Sequence, residues 1–317
     1  MKQSIKPTPI YSNLSNCELC PRHCSGVDRV KENNGYCEAG SVMEVASLSI
    51  HRGEEPFLTG QYGVGNVFFS HCNMSCIYCQ NFQISGSDKG TNYTPDELSN
   101  ELLNFQKQGC STVGFVSPGH YLPLVAETIK ISKNKGLTVP IVWNSNGFEE
   151  VESIRKLEGL VDIYLPDFKY WDEKNALLYS DTPNYPSVAK DAVKEMFRQV
   201  GPLQLSEGIA EKGLCIRHLV LPNDIADTEK ILQFISSISK DIYVSLMSQY
   251  NPVHKAEKFI LLSRKLRPSE YWKAVEIAEE LGLNNLLIQE PDSSPDSYLP
   301  DFQKENVFSE KNMEDNL

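Results

Sequence analysis

Between residues 65 and 290, short apolar runs alternate with longer segments whose apolar positions recur every three or four residues. The runs at 65–70 (GNVFFS), 112–116, 139–144, 161–167, 214–221 and 243–247 predict six strands, and 285–289 a short last one. Helical periodicity fills the intervals: 94–109, 122–135, about 149–157, helical segments reaching about 200, one from 228, and 269–282. The helix ends are punctuated. Thr94 is a good N-cap, Pro95 suits the first turn, and Glu97 completes a capping box. Gly109, Gly136 and Gly282 supply stops. Apolar strands separated by helix-length segments predict an α/β fold with a parallel sheet. Six such units are fewer than the eight of a closed barrel, so the expected architecture is a partial (β/α)6 TIM-like barrel. No internal repeat is visible.

Composition adds boundaries to this pattern. The 317 residues suit one large domain with an appendage, or two domains. Residues 1–60 read as a cysteine-rich N-terminal extension, 61–289 as the core domain, and 290–317 as an acidic C-terminal tail. The tail holds eight acidic and two basic residues and little periodicity, and is expected to be partly disordered or draped on the surface. Forty per cent of residues are hydrophobic, yet no run approaches the ~18 apolar residues of a membrane span. The N-terminal sequence lacks the apolar core of a signal peptide, so the reading is cytoplasmic with no membrane partner. A net charge of −12 is a poor match for nucleic acid, whose binding rests on Lys and Arg neutralising phosphates.

Seven of the nine cysteines fall in two groups, at 17, 20, 24, 37 and at 72, 76, 79. Cys110 and Cys215 stand alone and read as small buried residues. Such spacing in a cytosolic chain points to metal more than to disulfides. Cys72-x3-Cys76-x2-Cys79 puts three thiols in one loop directly after a strand. Three cysteines on a [4Fe-4S] cluster leave one iron without a protein ligand. S-adenosylmethionine (SAM) can take that position through its amino and carboxylate groups, and one-electron cleavage then yields a 5′-deoxyadenosyl radical. Tyr78 stands where its ring can pack on the adenine. The competing reading is structural zinc on these three thiols and His71, although zinc sites usually pair two short knuckles far apart in sequence.

The loop CNMSCIYCQN after a strand resembles the radical SAM superfamily. More closely, the chain is similar to relatives of pyruvate formate-lyase activating enzyme that carry extra N-terminal cysteines. The similarity covers about residues 14–290 and includes CELCPRHC, GYCEAG, HRGEEPFLTG, SPGHYLP, WNSNGFE, DIYLPDFKY, RHLVLPN and SLMSQYNP. It implies SAM bound across the strand C-termini of a partial barrel. It also implies an electron donor such as flavodoxin or ferredoxin, and a substrate that is a glycyl-radical protein, or else a small molecule or peptide. A non-catalytic iron–sulfur or zinc interaction protein is the alternative from a different class; it predicts no SAM cleavage.

The remaining candidates stand at strand ends. The second strand runs into Ser117-Pro118-Gly119-His120, which departs from the Gly-Gly-Glu segment common in the superfamily. Backbone carbonyls from Ser117 to Gly119 are the expected substitute, and His120 is either a polar contact or a helix cap. Asn144 and Asn146, with Ser145, suit ribose hydroxyls or the SAM carboxylate, or else form a turn on Asn146-Gly147. Asp167 and Lys169 share one strand face, as ligand contacts or a salt bridge. Arg217 is placed inward near SAM or substrate, leaving His218 a satisfied interface histidine. Met247 reads as core and Gln249 as a SAM or substrate contact. Strand alternation lets at most one of Glu54 and Glu55 face a site, and 51–56 reads as structural. For Cys17, Cys20, Cys24 and Cys37 three readings stand open: structural zinc, a second iron–sulfur cluster, or unliganded thiols. Arg22 either tunes a cluster or is solvated.

Overall fold

The computed structural model describes residues 14, 16–31, 35–86, 89–291, 299–304 and 306–308. The N-terminal thirteen residues and most of the acidic C-terminal tail lie outside them. Seven strands run parallel: β2 (Val64–Phe69), β4 (Thr112–Val116), β5 (Ile141–Ser145), β6 (Ile163–Pro166), β8 (Ile209–Leu219), β9 (Tyr243–Met247) and β10 (Leu286–Ile288). They take up the six expected runs and the short seventh. Before them β1 (Met43–His51) pairs antiparallel with β2, and β3 (Thr91–Tyr93) adds to β1. A three-residue strand, β7 (Gln204–Ser206), forms a hairpin with the start of β8. The sheet order is β10-β9-β8-β6-β5-β4-β2-β1-β3, so the sheet curls without closing. This is the expected partial barrel. β1 escaped detection because most of its residues are half-buried, which blurs the alternation of its sequence MEVASLSIH.

The helices α2 (Pro95–Lys107), α3 (Leu122–Asn134), α4 (Val151–Arg155), α5 (Glu173–Ser180), α6 (Tyr185–Val200), α7 (Thr228–Ile238) and α8 (Pro268–Glu280) alternate with the parallel strands. α2 begins with the expected capping box, Thr94 Oγ1 accepting from Glu97 N and Glu97 accepting from Thr94 N. None of the described helices is long and apolar enough to cross a membrane. Strands β2, β4 and β6 are buried on both faces, because helices cover one and the barrel interior fills the other.

The interior is stacked in layers set by strand register. A four-residue helix, α1 (Pro56–Thr59), plugs the lower end with Phe57 and Leu58 against Val142, Ile163, Leu165 and Cys215. One step up, Asp167 lies opposite Arg217, and Arg217 opposite Ser245. Asn66 on β2 reaches the same network through Glu54, to which its Nδ2 donates at 2.8 Å. A Cβ on Gly114 would stand 2.3 Å from Asn66 Oδ1, so the neighbouring strand needs glycine there. At the C-terminal end of β5, Gly147 has φ +74°, and a Cβ would meet the Asp167 carbonyl at 2.3 Å. Both backbone freedom and space demand glycine.

His218 faces outward from β8, fully buried. Its Nδ1 donates to the Phe168 carbonyl at 2.7 Å and its Nε2 accepts from the Thr228 hydroxyl at 2.9 Å. This is the satisfied interface histidine that the sequence predicted. Burial holds its pKa down to about 4. The unfolded chain therefore takes up a proton near the ordinary value while the folded chain resists it, so stability falls as pH drops from about 6.5 towards 4. Between pH 7 and pH 5 this one group is worth about 2 kcal/mol. Chemical denaturation at the two pH values should show that the pH dependence shrinks by about this amount in His218→Gln. Equal pH dependence in both proteins would remove His218 as its source.

Candidate functional site

The cysteine loop leaves β2 at its C-terminal end, where the loops of a parallel barrel gather. Cys72, Cys76 and Cys79 line one cavity of about 190 Å³ at that end. Ile77 N bonds to the Tyr179 carbonyl at 2.9 Å and Ser75 N to the Ser180 carbonyl at 3.1 Å, so α5 anchors the loop. Two of the three sulfurs receive hydrogen bonds. Cys72 Sγ accepts from Asn146 Nδ2 at 3.5 Å and from Met74 N at 3.4 Å, and Cys76 Sγ accepts from the Ser180 hydroxyl at 3.0 Å. Ser85 and the Asn81 amide lie near Cys79 and favour its ionised form against burial. Burial, then mutual repulsion, pushes Cys72 up to about 12 and Cys79 up to about 11. As bare thiols these groups resist ionisation; N–H and O–H donors aimed at sulfur are what metal-bound thiolates use. The donor set therefore fits an iron–sulfur cluster held by three cysteines.

The zinc alternative needed His71 as fourth ligand. His71 is buried away from the cavity, with Nε2 at 3.2 Å from Glu44 Oε2. Among the described residues, no three His, Cys, Asp or Glu side chains converge as ligands of a single ion.

The strand-end candidates gather here. Tyr78, Ser117, Asn144, Asn146, Lys169 and Gln249 line the same cavity, as does Arg217. Tyr78 is wedged edge-on against Tyr250, 5.8 Å between ring centroids. Ser117 takes φ +52°, an uncommon conformation for a non-glycine residue, and its N–H bonds to the Asn144 carbonyl at 2.8 Å. Asn146 forms the turn, its Oδ1 accepting from Phe148 N at 2.9 Å, and its Nδ2 also reaches Cys72, a contact the sequence did not predict. Lys169 Nζ lies 2.6 Å from Asp167 Oδ2. Burial opposes its charge, but Asp167 and Cys76 raise its pKa above the ordinary value. His120 is a buried polar contact, Nε2 at 2.9 Å from the Ser70 carbonyl, behind the cavity.

Beneath the cysteines lies a network in which Arg217 faces three carboxylates. Its Nη1 is 3.4 Å from Glu54, and its Nε is 3.6 Å from both Glu55 and Asp167. Asn66 Nδ2 also donates to Glu54, at 2.8 Å. Burial raises the Glu55 carboxyl, and Arg217 works against that shift. This corrects two expectations. Strand β1 ends at His51, so strand alternation does not govern 52–55, and both Glu54 and Glu55 turn inward. Segment 51–56 is not merely structural, since His51 and Glu54 line the cavity. Met247, expected as plain core, lines it too, its Sδ 3.3 Å from Arg217 Nη2. The adjacent pair in HRGEEP was the sequence signal for the carboxylates, whereas nothing local marks Ser180 as a partner of Cys76.

The C-terminal segment reaches the same mouth. Phe308 stacks on His51 with centroids 3.8 Å apart, Phe302 packs on Phe68, and Phe308 and Pro300 line the cavity. Gln83 of the cysteine loop holds this segment through Asp301 Oδ1 and Phe302 N.

The leader cysteines stand next door. Cys17 and Cys24 are paired across a short bridge, and Cys20 and Cys37 adjoin them. Arg22 is half-buried and engaged. It lies 3.5 Å over the Tyr36 ring and donates to the Asn73 carbonyl at 2.9 Å, inside the Cys72–Cys76 span. Cys110 and Cys215 are buried, as expected.

A partial barrel with three loop cysteines at its C-terminal mouth defines an iron–sulfur enzyme class, and the sequence comparisons agree. The sequence profile of the Radical SAM superfamily matches residues 66–235, and the chain belongs to that superfamily. An uncharacterized protein of Methanocaldococcus jannaschii is 31% identical over 279 residues, covering 86% of this chain and 76% of that one. A second from that organism is 26% identical over 171 residues, half of each chain. Two solved structures of HydG, a maturase of the [FeFe]-hydrogenase, share the fold. One superimposes with a TM-score of 0.50 at 12% identity over 69% of this chain. The other, from Carboxydothermus hydrogenoformans, gives 0.51 at 12% identity over 70%. This chain spans about half the length of either, 50% and 52%. Superfamily membership brings a [4Fe-4S] cluster and SAM as cofactors.

Arg217→Met should leave Glu54, Glu55 and Asp167 facing one another without their shared cation. The expected loss of stability in urea is about 3–5 kcal/mol, part of it recovered in the double variant with Glu55→Gln. Wild-type stability in the single variant would show that the carboxylates do not depend on Arg217.

Proposed function

We propose that this protein is a cytoplasmic radical SAM enzyme acting on a small molecule or a short peptide. The observation that carries the enzyme reading is the hydrogen-bonded three-cysteine loop opening into a cavity lined with polar strand ends. When bound, the cluster and SAM supply a 5′-deoxyadenosyl radical that takes a hydrogen from the substrate. Cys72, Cys76 and Cys79 hold the cluster. Asn144, Asn146 and the backbone at Ser117 offer amides and carbonyls to the SAM amino, carboxylate and ribose groups. Tyr78 offers its ring to the adenine. Lys169 and Gln249 are left to meet SAM or substrate polar groups, and Arg217, engaged with three carboxylates, positions the cavity floor.

Substrate size is argued from the mouth. Activation of a glycyl-radical protein, the reading suggested by the pyruvate formate-lyase activating enzyme-like motifs, asks for an opening wide enough to admit a protein loop. Pro300 and Phe308 line this cavity, with Phe308 stacked on His51, and a cavity of about 190 Å³ walled in this way favours a smaller substrate. Cys17, Cys20, Cys24 and Cys37 are proposed to hold a second metal centre, tied to the cysteine loop through Arg22; as placed, no three of them converge on a single ion, which favours an iron–sulfur cluster and leaves zinc as the alternative that the iron count tests.

Anaerobically reconstituted protein should carry about four irons per chain if the leader takes zinc and about eight if it takes a cluster. It should form 5′-deoxyadenosine from SAM with dithionite. Cys76→Ala should lose loop iron and 5′-deoxyadenosine while circular dichroism stays that of the wild type. Retained 5′-deoxyadenosine formation in Cys76→Ala would overturn the assignment.

A further inference from the structure

The leader holds the barrel at a second point besides Arg22. Arg29 is 3% exposed, and its guanidinium is spent on three backbone carbonyls. Nε donates to Ala39 at 2.8 Å, Nη2 to Gly40 at 2.7 Å and Nη1 to His120 at 2.6 Å. Two of these acceptors belong to the leader, just past Cys37. The third is 91 positions away, in the helical turn Gly119–Tyr121 that joins the end of β4 to α3. The guanidinium also stands 5.6 Å over the Tyr121 ring. A buried cation is costly unless its donors are met, and an apolar side chain would fill such a place without that cost. What arginine adds is a planar fork that locks three carbonyls relative to one another.

The turn it holds adjoins a strained residue. Ser117 has φ +52°, and a non-glycine residue stays in such a conformation only when its surroundings over-determine it. Three restraints are local or come from neighbouring strands. Ser117 N is bonded to the Asn144 carbonyl at 2.8 Å, Tyr121 N to the Pro118 carbonyl at 2.8 Å, and the His120 ring to the Ser70 carbonyl at 2.9 Å. Arg29 supplies the restraint from the leader. It does not line the cavity, whereas Ser117 does.

We propose that Arg29 is a positioning residue for SAM. By fixing the His120 carbonyl it sets the backbone from Ser117 to Gly119, which receives the SAM amino group. The proposal rests on the reading of that backbone as a SAM contact. Arg29 touches neither SAM nor substrate, so it acts on how well the empty site is preformed. Its removal should therefore show in affinity rather than in the rate of cleavage.

The test uses full-length, anaerobically reconstituted protein. It reads SAM binding by equilibrium titration and by the change SAM causes in the electron paramagnetic resonance signal of the dithionite-reduced cluster. Arg29→Met should bind SAM about tenfold more weakly. Its iron and zinc contents, and its resonance signal before SAM is added, should match the wild type. KM for SAM should rise with the dissociation constant, while kcat for 5′-deoxyadenosine formation stays within about twofold. Without SAM, the amides of 119–122 should exchange hydrogen faster than in the wild type, because the turn has lost its outer anchor. If Arg29→Met does not fold, Arg29→Lys decides. It keeps the charge but not the fork, and should weaken binding about threefold with circular dichroism unchanged. Lys31→Ala, on the exposed side of the leader, should bind SAM as the wild type does. Wild-type affinity in a folded Arg29 variant, unchanged exchange at 119–122, a loss confined to kcat, or an equal loss in Lys31→Ala would overturn the proposal. So would loss of the leader metal with SAM affinity kept, which would assign Arg29 to Cys17, whose sulfur lies 3.8 Å from Nη1. Absence of SAM binding in the wild type is a different failure: it removes the SAM reading, and this proposal with it.

Discussion

Arg217 is the cation around which the upper half of the barrel is arranged. Glu54 and Glu55 come from the turn after β1, and Asp167 from the end of β6, and both segments meet its guanidinium. Buried carboxylates without a partner cost several kcal/mol each, so the position of the N-terminal turn is tied to β8 by electrostatics as much as by packing. The apolar plug of Phe57 and Leu58 follows immediately in sequence, and is seated by the same constraint. Arg217 is therefore poorly placed to be a free SAM ligand, although it lines the cavity. Lys169, with a single carboxylate partner among the described residues, is the more available cation.

Above this floor the cysteine loop is held from three sides. α5 supplies backbone carbonyls and the Ser180 hydroxyl, the β5 end supplies Asn146, and the leader supplies Arg22. Positioning of metal ligands by such outer contacts fixes both geometry and electronic character. The leader is thus more than an appendage: its guanidinium closes on the carbonyl of Asn73, beside the first cysteine of the loop. Pro300 and Phe308 add a wall to the cavity, with Phe308 stacked on His51 and Phe302 packed on Phe68.

The architecture was largely legible in the chain. Alternating apolar runs and capped helical segments marked all seven parallel strands, because strands buried on both faces are apolar without interruption. The cysteine spacing announced the cluster loop, and the strand-end polar residues converged because a parallel barrel puts every strand C-terminus at one mouth. Two features were hidden. β1 alternates weakly because it lies between two other strands at the sheet's antiparallel edge, with most of its residues half-buried. Glu54 and Glu55 were assigned to a strand's alternation, though they occupy a turn in which that rule does not hold.

The sequence by itself determined the fold class, the three thiols and the mouth at which the chemistry sits, since spacing and periodicity are local and survive in one dimension. Only the tertiary structure decided that three carboxylates share Arg217, that Ser180 bonds Cys76, that Arg22 grips the cysteine loop and that Phe308 reaches the cavity. Those pairings join residues from 50 to more than 250 positions apart, and nothing in either partner's neighbourhood encodes the other.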